Sequence, residues 1–288
     1  MEIINFYNIP IFIISYNRID DLKKMVGILL RDGYTNLNII DNNSSEKRLL
    51  SYLNSLDDSR IKVTFLQKNY GHRVLWESHK FDDIIQNNYY VLTDPDIFPV
   101  EGCPSNYVEA FYNILREYPQ KMKVGFSLKI DDLPDDYPYK YDIVRYESFY
   151  WEKKLPYKFT IYEAPIDTTF ALYKPGKIKE SQFFDGIRTG GKYVARHQGW
   201  YTLYKGDDKS YLSGENISST SMNPQAMFEY RLGVIHRIIE KTQPEFYSLM
   251  QHIIINKELK NHYSFFQIFL AFGYVLTKKI LLMLHLKE

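Results

Sequence analysis

Near the start of the chain, Ile9-Pro10-Ile11-Phe12-Ile13-Ile14-Ser15-Tyr16 runs without a charge, with apolar side chains at both odd and even positions. A strand with one wet face alternates apolar and polar residues. An unbroken apolar run of this kind is expected of a central parallel strand covered on both faces, so an α/β sheet is required. Asn17-Arg18 then turns the chain, and Leu22, Met25, Val26, Leu29 and Leu30 recur at helical spacing. Asp20 or Asp21 is the expected N-cap of that helix and Gly33 its stop. Asn36 to Asp41 reads as a second strand, which completes a right-handed βαβ unit.

The same logic extends downstream. A helix is expected from Glu46 to Leu56, a strand from Ile61 to Leu66, a helix from Trp76 to Gln86, and a strand opening at Tyr89. A further helix from Asn106 to Tyr118 and a strand from Val124 to Leu128 follow. Asp131 to Lys158 is acidic and dense in tyrosine; a connection of that length serves as a lid or acceptor-side loop, or as an ordinary surface insertion. Glu163 to Tyr173 reads as one more strand. The expected architecture is a Rossmann-like α/β domain over residues 1–217, with a mostly parallel sheet, and a helical C-terminal region over 218–288.

Composition narrows the function. With 36 basic and 35 acidic side chains the formal net charge is +1, which gives no global field for nucleic acid. One cysteine, Cys103, excludes an internal disulfide and fits a reducing compartment. The N-terminus lacks the basic start and apolar core of a signal peptide, so a cytoplasmic protein is expected. Ser264 to Thr277 carries no charge and precedes Lys278-Lys279. At that length it suits an interfacial helix on the cytoplasmic face of the inner membrane, or a helix packed on protein, better than a span of about 20 residues.

The chemistry concentrates in Val91-Leu92-Thr93-Asp94-Pro95-Asp96, where two carboxylates stand one residue apart at a strand end. Ligands of open α/β sheets bind outside the carboxyl ends of the strands. Paired hard oxygens there suit Mg²⁺ or Mn²⁺ bridging a diphosphate; an acidic turn that binds nothing is the plainer alternative. Asp41, at the end of the second strand, is placed to accept hydrogen bonds from a nucleotide's base or ribose, or to cap the helix that follows. Ser15, Asn17, Arg18 and Asn43 lie in the same two strand-end loops, and in the next one Lys68 and Arg73 could face phosphates or could simply belong to a solvated loop. Arg188, Lys192 and Arg196 bring further positive charge, and Trp200 and Tyr201 offer flat faces for a sugar.

Taken together, Pro10 to Arg18, Asp41-Asn42-Asn43-Ser44 and Thr93-Asp94-Pro95-Asp96 resemble bacterial glycosyltransferases of the GT-A fold, glycosyltransferase family 2 in particular, over roughly residues 9 to 205. The resemblance implies transfer of a sugar from a nucleotide-diphosphate donor, with a UDP-sugar expected, to a glycan acceptor such as a lipid-linked glycan. Asp94 and Asp96 then hold the divalent ion, His197 is its candidate histidine ligand, and Asp41, Ser15 and Asn17 meet the nucleoside. The resemblance also implies an inverting mechanism and a role in capsule, O-antigen or exopolysaccharide synthesis. The family's Glu-Asp pair has no counterpart here, so Asp167 is the expected catalytic base and Asp185 the reserve. The competing classes are an inactive carbohydrate-binding scaffold of the same fold and a sugar-nucleotide nucleotidyltransferase. The latter would open with a glycine-rich phosphate loop that Ser15-Tyr16-Asn17-Arg18 does not provide.

Overall fold

The computed structural model describes residues 4–202. The 217/218 boundary and the C-terminal helical region lie outside the described residues. In order, the chain forms β1 (Ile11–Ser15), α1 (Ile19–Arg31), β2 (Leu37–Asp41), α2 (Lys47–Ser55), β3 (Ile61–Phe65), α3 (Val74–Glu77), α4 (Asp82–Asn87), β4 (Tyr90–Thr93) and β5 (Ile97–Pro99). Then follow α5 (Tyr107–Glu117), β6 (Lys123–Leu128), α6 (Lys140–Ser148), β7 (Lys154–Leu155), β8 (Ile161–Glu163), β9 (Ala171–Tyr173), β10 (Gly186–His197) and α7 (Gly199–Thr202).

One sheet holds every strand, in the order β3-β2-β1-β4-β9-β6-β10-β8-β7, with β5 paired to β10. Strands β3, β2, β1 and β4 are mutually parallel, β9 runs against β4 and β6, and β10 is parallel to β6. The sheet is therefore mostly parallel, and its fold is Rossmann-like α/β. Both faces are covered, as the apolar runs require. Ile11 and Ile13 of β1, Leu37 and Ile39 of β2, and Val91 of β4 pack on one side with Leu22, Met25 and Leu29 of α1 and Phe111 of α5. Phe12 and Ile14 of β1, Ile40 of β2, and Tyr90 and Leu92 of β4 point the other way, onto Leu75 and Trp76 of α3 and Ile85 of α4.

Three expectations are corrected. The helix read over Trp76–Gln86 is two short helices, because His79 adopts φ 55° between them and no α-helix continues through a left-handed residue. The helix α1 begins without a side-chain cap: Arg18 holds the N-cap position, and Asp20 and Asp21 fall in the first turn. The strand read over Glu163–Tyr173 is two strands, β8 and β9, that pair with different neighbours, leaving 164–170 to loop between them. Pro165 within that stretch has no N–H to give to a ladder, which ends the first strand early. The long segment after Asp131 has structure of its own, α6 and β7, and its Glu147 and Tyr150 are buried against β10.

Close packing of β9 on β6 rests on Gly125, which pairs with Ala171. A Cβ at Gly125 would lie 2.4 Å from the carbonyl oxygen of Phe170 and 2.7 Å from the Ala171 Cβ. Gly125→Ala should therefore destabilise the domain by about 1–3 kcal/mol, as overpacking does elsewhere. Thermal unfolding followed by circular dichroism should show the drop, and an unchanged midpoint would contradict this packing.

Candidate functional site

The sheet topology brings the carboxyl ends of β1, β2 and β4 side by side, with Ser15 in register with Asp41. Both side chains are buried, and Ser15 Oγ and Asp41 Oδ1 have no hydrogen-bond partner among the described residues. The other oxygen of Asp41, Oδ2, accepts the Ser44 N–H at 3.2 Å, and burial raises the Asp41 carboxyl above its usual range. Two unpaired polar atoms at adjacent strand ends are costly unless something fills them. Asn17, at φ 50°, spends its side chain on the neighbouring loop: Oδ1 accepts the N–H groups of Ser45 and Glu46 at 2.8 and 3.0 Å. Asn43, at φ 65°, is exposed.

The acidic pair follows β4. Asp96 is buried, and its Oδ2 accepts from Arg18 Nη1 at 2.7 Å; the same guanidinium reaches Asp21 through Nη2 at 2.6 Å. Pairing of β5 with β10 sets Ile97 opposite His197, which brings His197 Nε2 to 3.5 Å from that Asp96 oxygen. The His197 ring lies flat on buried Trp200, with centroids 4.9 Å apart. Burial works against ionisation of Asp96, but Arg18 and then His197 outweigh it and hold the carboxyl below its usual range. Asp94 is the opposite case. Burial, followed by the like charge of Asp96, pushes its carboxyl up to about 8, although Thr168 Oγ1 donates to its Oδ2 at 2.6 Å.

The 164–170 loop completes the cluster. Thr168 bonds Asp94 through both its hydroxyl and its carbonyl oxygen, and the Asp167 carboxylate lies close enough to add to the charge felt by Asp94. Asp167 is solvent exposed, and its Oδ1 accepts the Thr169 N–H at 2.9 Å and hydroxyl at 2.6 Å. The surrounding protein disfavours its charge; the Thr169 donors and the Arg188 guanidinium more than offset this and keep the carboxyl below its usual range. His72, in the loop after β3, feels the Asp167 charge while burial lowers its own imidazole. The loop that carries His72 was noted in the sequence, but nothing in its residues pointed to His72 itself. Thr168 was read as part of a strand.

Other expected site residues lie elsewhere. Asp185 precedes Gly186, which is in register with Lys123 at the entry of β6; it stands at the amino end of these strands and pairs with Lys121 at 2.6 Å. Arg188 is buried, with Nη1 on Glu147 at 2.9 Å and Nε on the Pro165 carbonyl at 2.7 Å. Lys192 is exposed in the bulge that interrupts β10, where Gly191 takes φ 63°. Arg196 is held by Asp132, to which Tyr201 also donates. The three cations of β10 thus point to three different places. Lys68 is exposed, its ammonium 4.4 Å from the Tyr70 ring centroid.

No three His, Cys, Asp or Glu side chains among the described residues are arranged as a ready-made metal centre. The donor set nevertheless fits a hard cation. Ions such as Mg²⁺ take one or two carboxylates and fill the remaining positions with water and substrate phosphate. Burial, and then the charge of Asp96, raises Asp94, and a cation placed there would favour its ionised form. Among the described residues no helix is long and apolar enough to cross a membrane.

No family model matches the chain, and no curated protein does. Two crystal structures of Staphylococcus aureus TarS residues 1–349 are similar to it, each at 10% identity over 84% of this chain. One covers 74% of the TarS chain with a TM-score of 0.38; the other, a complex with UDP-GlcNAc, covers 75% with a TM-score of 0.41.

The two acids impose opposite pH dependences. A carboxyl whose folded value lies above its unfolded one binds extra protons in the folded state, so the Asp94 contribution to stability falls as pH rises from about 4 to about 8. The lowered Asp96 contributes stability above the ordinary carboxylate range that is lost as pH falls through its folded value. Asp94→Asn removes only the first effect. It should stabilise the protein by on the order of 1 kcal/mol more at pH 8.5 than at pH 5, read from denaturant unfolding at the two values. An equal effect at both would show that Asp94 is ionised throughout.

Proposed function

We propose that the chain is a GT-A glycosyltransferase of the hexosyltransferase type, which moves a sugar from a nucleotide-diphosphate donor to a glycan acceptor. The observation that carries the reading is the assembly of Asp94, Asp96 and Asp167, from two separate segments, beside the unpartnered Ser15 Oγ and Asp41 Oδ1. A carboxylate cluster next to unpaired polar atoms at the carboxyl ends of parallel strands is what a nucleoside diphosphate with a reacting sugar requires.

The nucleoside belongs at Ser15 and Asp41. With Oδ2 occupied by Ser44, Asp41 has one oxygen left, which suits the single ring N–H of uracil better than the two adjacent donors of guanine. That favours uracil or thymine over guanine, and a UDP-sugar is the donor we propose. Asp94 with Asp96 would hold a divalent ion, Mg²⁺ or Mn²⁺, and bound there it supplies positive charge to the leaving diphosphate. Arg18 keeps Asp96 ionised and fixed, and Lys68 stands free of carboxylates among the described residues to meet phosphate oxygens.

Asp167 serves as general base. The acceptor hydroxyl gives its proton to the Asp167 carboxylate while its oxygen bonds the anomeric carbon; the bond from that carbon to the diphosphate oxygen breaks, and the electron pair leaves with the nucleotide. Attack opposite the leaving group inverts the anomeric centre. On an exposed residue, an ionised carboxylate held in place by Thr169 supplies the proton acceptor this role requires. Asp185, paired with Lys121 at the other end of the strands, does not. A glycan of the bacterial surface as acceptor rests on the sequence resemblance.

A thermal-shift screen of UDP-, GDP-, CMP- and dTDP-sugars with and without Mn²⁺ tests the reading, since a ligand that binds only the folded state raises its midpoint. Stabilisation by a UDP-sugar that strengthens with Mn²⁺ and disappears with EDTA is expected. No shift with any of them would favour an inactive scaffold. In the active protein, Asp167→Asn should cut turnover by roughly 10²–10⁴-fold with donor affinity intact. Near-normal turnover would remove Asp167 from the mechanism.

A further inference from the structure

Lys123 is the first residue of β6, fully buried, and none of the chemistry above uses it. Its Nζ donates to the main-chain carbonyl of Asp167 at 3.2 Å, to that of Phe183 at 2.5 Å, and to the Tyr173 hydroxyl at 3.2 Å. The Tyr173 hydroxyl in turn donates to the same Asp167 carbonyl at 3.0 Å. The ammonium also lies 4.8 and 4.9 Å from the ring centroids of Tyr173 and Phe183. Tyr173 is itself fixed, stacked on Tyr90 at 5.1 Å with the planes 7° apart.

Burying a lysine without a carboxylate partner is unfavourable, and an apolar side chain of the same length would pack this space at lower cost. Burial moves the Lys123 amine down to about 7. Two of its three donors serve the Asp167 carbonyl, one directly and one through the tyrosine that holds it, and the third goes to the segment leading into β10. A second buried cation, Arg188, holds the Pro165 carbonyl two residues earlier. The loop that carries Asp167 and the Asp94-bonding Thr168 is therefore pinned by its main chain, from beneath, at two points.

We propose that Lys123 is a positioning residue: together with the Tyr173 hydroxyl it anchors the main chain of Asp167 and so aims that carboxylate at the acceptor oxygen. The inference rests on the reading of Asp167 as base. Lys123 touches no substrate atom. Its effect is on orientation, so it alters the rate of the chemical step far more than nucleotide affinity, because Ser15 and Asp41, which would hold the nucleoside, stand on other strands. A misplacement of about 1 Å at a reacting group costs roughly 10²-fold.

The test uses the full-length protein with two variants, Lys123→Met, which keeps volume and removes every donor, and Tyr173→Phe, which removes one hydroxyl. UDP binding is measured by calorimetry, and UDP release from the UDP-sugar giving the largest thermal shift is measured at varied donor concentration. Expected is a fall in kcat of roughly 10²-fold for Lys123→Met and about 10-fold for Tyr173→Phe, with KM and the Kd for UDP within about twofold of wild type. Should Lys123→Met fail to fold, the same split in Tyr173→Phe decides. A kcat within threefold of wild type in the folded variants, or a loss of UDP affinity that matches the loss of rate, overturns the positioning role. A wild-type protein that neither binds UDP nor releases it from a UDP-sugar fails at the earlier step, and the positioning role falls with the glycosyltransferase reading.

Discussion

Everything at the carboxyl edge of the sheet depends on the buried ion pair between Arg18 and Asp96. The two residues belong to the segments that follow β1 and β4, and the parallel pairing of those strands makes their meeting possible. A buried carboxylate without a counter-charge would neutralise or force the structure open. Arg18 prevents both, and its second nitrogen, bound to Asp21 in the first turn of α1, ties the acidic pair to that helix. Asp96 is thereby kept ionised, whereas burial first, and then the charge of Asp96, raises Asp94, which is the more perturbed of the two.

The 164–170 loop shows how such a site is held in place. It offers Thr168 to Asp94 on one side and is gripped through its carbonyls by Lys123 and Arg188 on the other. Both cations are buried, and Arg188 is balanced by Glu147 from α6. The segment after Asp131, by its length alone a lid or an insertion, thus contributes a carboxylate that allows a guanidinium to sit beneath the site. Peripheral and central parts of the domain are joined by this charge, with the Tyr150 ring 4.3 Å from the same guanidinium.

What the sequence disclosed and what it withheld follow the range of the forces involved. The two-sided runs at Ile11–Ser15 and Tyr90–Thr93 and the helical spacing of Leu22, Met25 and Leu29 are local patterns, and the sheet with its covered faces could be read from them. Placement of Asp94 and Asp96 at a strand end is equally local. The break at His79 depends on one residue's backbone conformation, and the division of Glu163–Tyr173 depends on which neighbours its halves find across the sheet; neither leaves a mark in hydrophobic periodicity. Arg188, Lys192 and Arg196 looked like one cationic cluster because they are close in sequence. The β10 bulge and the partners Glu147 and Asp132, some 40 and 60 positions away, send them apart. Lys123 gave no signal because two of its three bonds go to main-chain carbonyls, which any residue type could supply, and its tyrosine partner is 50 positions away.

A cost accepted at one place explains a constraint at another. Three carboxylates share this edge, and the fold compensates them unequally: Asp96 by direct contact with Arg18, Asp167 by the Thr169 donors and by cations behind the loop, and Asp94 by one hydroxyl. If the aim were stability alone, Asp94 would be the residue to replace, since burial, and after it the charge of Asp96, disfavours its ionised form and lowers the stability of the folded state at neutral pH and above. A cation beside Asp94, as the proposed metal-dependent reading requires, would offset that cost. The same reasoning separates Asp167 from Asp185. Both are acids near β10 in sequence, but only Asp167 is left solvent-open and without a lysine partner, and a base must be free to take a proton.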